Sequence, residues 1–144
     1  MYRTNRAAIY FSLLIVFTVN QTIARYLAAG SCYPDMVLIL VVFFGLFGGM
    51  RLGFETGIVC GIVRDTLDVG FFGMHAVTMG LSGLVCGAIS DKVYRENALV
   101  QMVIVFSAGL PVSGFNVTAS LYTAVISPVF FFLLQRIFMP VPDL

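Results

Sequence analysis

The sequence predicts an all-α polytopic membrane protein, a single integral membrane domain over residues 1–144 that folds as a compact bundle of about six transmembrane helices. Hydrophobic residues make up 60% of the chain and charged residues 10%, whereas soluble domains carry about 25% charged residues. So few charges cannot cover a water-exposed surface. The apolar residues form long runs broken by short polar stretches, the pattern of consecutive spans.

The first span covers about 8–27. Its start, MYRTNRAAIYFSLLIVF, mimics a signal peptide, with Arg3 and Arg6 before an apolar core. Asn20, Gln21 and Arg25 follow without a clean small-x-small cleavage site, and Ala29 in LAAGSC replaces the large aliphatic residue that a lipoprotein box at Cys32 needs. The segment therefore reads as a retained span. The second span, about 35–50, opens SCYPDMVLILVVFF. Pro34 fits a first helical turn, where its missing N–H costs nothing. Asp35 sets a negative charge at the positive end of the helix dipole. A helix start accounts for both residues, and a partner contact is an additional role open to them.

The third span, about 52–67, carries Gly53, Gly57 and Gly61. Four-residue spacing puts these on one face as a doubled GxxxG pattern, which lets a second backbone approach closely. The stripe leads to Asp65, which is expected to point into the bundle. There it should pin the turn by accepting N–H or hydroxyl bonds, from the start of the fourth span or from Asn116 and Thr118. Arg64 lies about 100° round the helix, and Asp68 follows it at i+4, where a solvated salt bridge is expected. The fourth span, about 72–90, repeats the device with Ala76, Gly80, Gly83 and Gly87, leading to Asp91. Close packing of the third and fourth spans across the short turn DVGFFG is the central structural expectation. His75, early in the fourth span, is expected to be a hydrogen-bonded interfacial residue.

The fifth and sixth spans cover about 98–115 and 118–138. The break between them, GLPVSGFNVTAS, contains Pro111, Ser113, Gly114 and Asn116 but no charge, so five spans stay open beside six. Pro128 frees one backbone carbonyl, which Ser127 and Thr123 are placed to satisfy. The run VFFFLL from Val129 suits lipid or a partner helix.

Basic residues give the orientation. With six spans and the N-terminus inside, Arg3, Arg6, Arg51, Lys92, Arg95 and Arg136 are cytoplasmic, and only Arg25 and Arg64 are outside. This asymmetry obeys the positive-inside rule and puts both termini in the cytoplasm. The net charge of +1, with no basic stripe, argues against nucleic acid. The three cysteines make no CxxC pair, and His75 is the sole histidine, so neither a metal site nor a cofactor is expected. Cys60 and Cys86 read as small buried hydrophobes.

The stretch PDMVLILVVFFGLFGGMRLGFETGIVCGIVRDTLDVGFFGMHAVTMGLSGLVCG resembles the rod-shape-determining membrane protein family MreD. In that pattern a Pro-Asp, here Pro34-Asp35, opens an aliphatic run. A glycine-rich span, here with Gly53, Gly57 and Gly61, ends in an aspartate, here Asp65. A short turn with glycines, here Gly70 and Gly73, leads to the next span. KVYRENALVQMVIVF is similar to the family's basic loop between spans four and five. Arg64 stands where the family commonly has an apolar residue, and Asp68 where a small one is usual. The resemblance implies a non-enzymatic subunit of the bacterial elongation machinery for side-wall peptidoglycan. It implies direct association with MreC and, through it, with MreB, a SEDS-type glycosyltransferase and a penicillin-binding transpeptidase. It also implies a fold similar to the S components of energy-coupling-factor transporters.

That shared fold makes a substrate-binding subunit of a vitamin transporter the natural alternative. Asn20, Gln21, Arg25, Asp65, Asn116, Thr118 and Tyr122 would then line an outward pocket. A membrane-embedded enzyme holding a divalent metal on Asp65, Asp68 and Asp91 is disfavoured, because Asp91 belongs at the opposite membrane face from the other two.

Overall fold

The computed structural model describes residues 6–26, 35–67, 71–93, 97–112 and 116–138. Among them the chain forms six helices and no strand: α1 (Arg6–Tyr26), α2 (Met36–Gly48), α3 (Met50–Leu67), α4 (Met74–Ile89), α5 (Ala98–Val112) and α6 (Val117–Phe138). The uncharged break after Pro111 does separate two helices, so the six-helix reading holds over the five-helix one.

α2 is the axis of the bundle. Its residues from Met36 to Leu46 are all buried, and it touches each of the other five helices. A helix that is hydrophobic all round has no polar face to turn outward, and the bundle centre is where it fits. At 13 residues it is about 20 Å long. Phe43 stacks edge-on against Phe131 of α6, with centroids 5.6 Å apart, and lies 4.8 Å from Phe47. The break between α2 and α3 is one residue, Gly49, whose φ of 85° lies in the left-handed region. Gly49 still donates to the Gly45 carbonyl, and Gly53 donates to Gly49, so the chain turns with almost no interruption of the backbone ladder.

α3 and α4 make the most extensive helix contact in the molecule, as the glycine spacing predicts. A Cβ on Gly53 would meet the Gly83 carbonyl oxygen, one on Gly57 the Met79 carbonyl, and one on Gly61 the Ala76 Cα. From the other side, a Cβ on Gly83 would meet the Gly53 carbonyl, and one on Gly87 the Met50 Cα. The two helices therefore pack backbone to backbone. Gly80 lies on the seam through its Cα, 2.9 Å from where a Cβ on Gly57 would stand. Its missing Cβ points at the Ile58 side chain, 3.0 Å from Cγ1, because a four-residue step carries it about 40° past Ala76. Gly45 of α2 joins as well, with its absent Cβ 2.9 Å from the Gly83 oxygen, so three helices converge at Gly83.

α6 runs parallel to α2: Asp35 lies beside Thr123, and Phe47 beside Phe131. The Ala124 carbonyl, freed by Pro128, accepts from Ser127 Oγ at 2.7 Å, as expected for a buried polar group inside a helix. Thr123 serves elsewhere, donating to Ala119 O. In the run from Val129, Phe131 and Leu134 are buried whereas Val129, Phe132 and Leu133 are exposed. By length and composition, Val117–Ile137 is the one described helix long and apolar enough to cross a membrane, and α2, α4 and α5 are shorter apolar helices. Cys60 and Cys86 are buried free thiols.

Candidate functional site

The end of the bundle where α2 and α4 begin and α3 finishes holds the buried carboxylate of Asp65 and the Arg64–Asp35 ion pair. It is built around two adjacent residues of α3, Arg64 and Asp65, which point to different neighbours because one residue is about 100° of helix rotation.

Asp65 follows the glycine stripe inward, and its side chain is 1% exposed. Oδ2 accepts from Gly73 N at 2.9 Å and from Ala76 N at 3.1 Å. Oδ1 accepts from His75 N at 3.2 Å and contacts His75 Nδ1 at 2.9 Å. An ionised carboxylate only accepts, so Nδ1 carries the hydrogen of that last bond. The N-cap of α4 is Gly73, in a left-handed conformation with φ 99°, and glycine has no side chain to cap with. Asp65 supplies the cap from the neighbouring helix. It also sets a negative charge against the positive end of the α4 dipole. The expectation that Asp65 pins the turn from the start of the fourth span is met. Asn116 and Thr118 do not share in it; Thr118 Oγ1 donates to Asn116 Oδ1 at 2.8 Å. His75 is hydrogen-bonded as expected, but as a direct partner of the inward carboxylate, a role its sequence position does not signal.

Arg64 makes an ion pair across the bundle. Its guanidinium donates to Asp35 Oδ2 at the start of α2. Asp68, its expected partner, lies outside the described residues, as does Pro34. Asp35 thus divides its work. Oδ1 caps α2 by accepting from Leu38 N at 3.2 Å, Oδ2 takes the arginine, and its backbone N–H donates to Thr123 Oγ1 of α6 at 3.0 Å. One residue ties α2, α3 and α6 together at this end. Its side chain is 16% exposed and that of Arg64 23%, so the pair is only partly desolvated. A double-mutant cycle of Asp35→Asn and Arg64→Gln is expected to show a coupling of about 1–2 kcal/mol, read as the shift in detergent unfolding midpoint. Additive single effects would mean that the pair contributes nothing.

Two other residue sets belong to the alternative readings. Asp91 is exposed at the far end of α4, a helix of 16 residues and therefore about 24 Å away from the Asp65 end. Asp65 and Asp91 cannot share a metal ion. Of the pocket set of the vitamin-transporter alternative, Asn116 and Thr118 are exposed at the start of α6, and the side chains of Asn20, Gln21 and Arg25 lie outside the described residues. Among the described residues Arg51 and Glu55 make no ion pair. Arg51, Lys92 and Arg136 lie exposed at the end opposite Asp65.

What this arrangement does chemically is hold. All four contacts of Asp65 go to the start of α4, and Asp35 fastens α2 to α3 and α6. Gly53, Gly57 and Gly61 of α3, with Gly80, Gly83 and Gly87 of α4, form the seam that these two carboxylates close at one end.

The family model described as rod shape-determining protein MreD matches residues 1–142. No curated protein and no solved structure matches the chain. The family match runs through the Asp35 cap, the α3–α4 glycine seam and the Asp65 brace alike, and on its extent the chain belongs to the MreD family of rod shape-determining membrane proteins.

Proposed function

We propose that this protein is a non-enzymatic, multi-pass subunit of the bacterial cell-elongation complex. In this reading it lies in the cytoplasmic membrane with both termini inside, binds MreC directly, and supports side-wall peptidoglycan synthesis and cell shape. Contact with MreB and with the glycosyltransferase and transpeptidase pair is indirect. The family match over residues 1–142 carries the proposal. The chemistry of the bundle agrees with it. The most deeply buried carboxylate spends its acceptors on the chain's own donors, and the exposed apolar flanks of α1, α4 and α6 suit lipid or a partner helix. Arg51, Lys92 and Arg136 at one end match a cytoplasmic face. Likeness of the bundle to transporter S components belongs to the same proposal.

The test is copurification from detergent extracts with the host's MreC, together with depletion in a rod-shaped host. Coelution and rounding of the cells are the expected results. Unchanged shape and wall growth on depletion would defeat the proposal. A large thermal stabilisation by one vitamin would favour the transporter reading instead.

A further inference from the structure

The tip of the α3–α4 hairpin is apolar and uncovered. Phe71 is 88% exposed, Phe72 74%, Met74 60% and Leu67 56%. In water such a tip is an oddity, since two adjacent phenylalanines gain nothing from hydration. Its backbone is equally unusual. The first N–H groups of a helix have no intrahelical acceptors and are commonly left to solvent. Here five consecutive N–H groups are all donated inside the protein. Gly73, His75 and Ala76 donate to Asp65, Met74 to Phe71 O at 3.2 Å and Val77 to Gly73 O at 3.0 Å. Internal satisfaction of these five groups is what the start of a helix needs where no water is at hand.

Length points the same way. At the other end of the hairpin, Arg51 near the start of α3 and Asp91 and Lys92 just after α4 are exposed charges, which hold that end at a membrane surface. From there α3, with 18 residues, reaches about 27 Å, and α4, with 16, about 24 Å. The hydrocarbon core is about 30 Å thick. Measured from its charged end, the hairpin stops just short of the far boundary.

We infer that the α3–α4 tip, with Phe71 and Phe72 at its apex, is seated in the acyl-chain boundary of the lipid bilayer instead of projecting into water. The inference rests on the multi-pass reading proposed above. The apolar surface of the tip continues down the flank of α4 through Val77 and Leu81, 61% and 54% exposed, so tip and flank form one lipid-facing surface. Asp65 then takes the place of water for a helix start that water does not reach.

The chain has no tryptophan, so Phe72→Trp and Phe71→Trp each create a single reporter. The purified full chain is placed in phosphatidylcholine vesicles whose acyl chains are brominated, with Val129→Trp, mid-way along α6, as the reference for a lipid-facing residue. The expected result is emission at shorter wavelength than free tryptophan amide, loss of fluorescence to brominated chains comparable with Val129→Trp, and reduced quenching by aqueous acrylamide. Acrylamide quenching equal to that of the free amide overturns the inference, and so does shielding from both quenchers, which would mean that a second copy of the chain covers the tip. If Val129→Trp is quenched by brominated lipid and the tip variants are not, the tip inference alone falls. If Val129→Trp also escapes, the multi-pass reading falls with it. Either tip variant suffices, provided its unfolding midpoint equals that of the wild type.

Discussion

Asp65→Ala is expected to be the most damaging single substitution in the polar framework, costing about 3–5 kcal/mol of stability. The loss is larger than that of an ordinary helix cap, about 1 kcal/mol, because the alanine strands three backbone N–H groups and the His75 ring nitrogen together. Asp65→Asn separates charge and acceptor geometry from mere size. The amide keeps one oxygen, which can serve either the Oδ1 or the Oδ2 partners. The NH2 group must then face N–H donors on the other side. Its rescue should be small, about 1 kcal/mol relative to alanine. Unfolding of the purified proteins in a titration from mild detergent into SDS measures both. Wild-type stability in Asp65→Ala, or full rescue by asparagine, would show that the carboxylate does not hold the turn.

The second large effect separates two glycines of one helix. Gly83→Ala drives a methyl group into the Gly53 carbonyl at the point where α2, α3 and α4 meet. Neither side can yield without moving a helix, so the cost should be about 1–3 kcal/mol. Gly80→Ala meets only the end of the Ile58 side chain, which can rotate away. There the better helix propensity of alanine, worth about 0.8–1 kcal/mol, offsets the crowding, and the variant should be near neutral. Equal effects at the two positions in the same unfolding assay would mean that the seam is not packed backbone to backbone.

The pairing of α3 with α4 and the inward aim of Asp65 were legible because both follow from spacing along one helix. Glycines at 53, 57 and 61 define a face, and position 65 lies on it. Other features depend on which helices become neighbours, which spacing does not carry. The sequence around Arg64 shows an i+4 carboxylate and gives no sign that the bundle brings Asp35 from 29 residues away to its guanidinium. Gly45 lies in the apolar run of α2, and its spacing does not show that it completes the meeting point at Gly83. Gly80 lies on the seam as the stripe predicts, but spacing does not show that its own missing Cβ is turned toward the Ile58 side chain and not toward backbone. The central place of α2 was hidden for another reason. Lipid and protein interior select the same side chains, so an all-apolar helix reads alike whether it faces one or the other.

That last ambiguity matters for how the protein is made. In the finished bundle α2 is enclosed by its own chain, so its apolar character cannot be explained by a need to dissolve in lipid there. During synthesis, however, the segment must leave the insertion machinery before α3 to α6 exist to enclose it. Its hydrophobicity is therefore read at two separate moments, first as a passport into the bilayer and later as core. The single-residue break at Gly49 lets α2 and α3 enter as one hairpin, with the polar end of α3 carried in by its partner. A polar substitution within Val37–Leu46 would thus lower the yield of inserted protein as well as the stability of whatever is inserted. The two losses would appear in different assays: membrane-integrated yield for the first, and unfolding of the purified protein for the second.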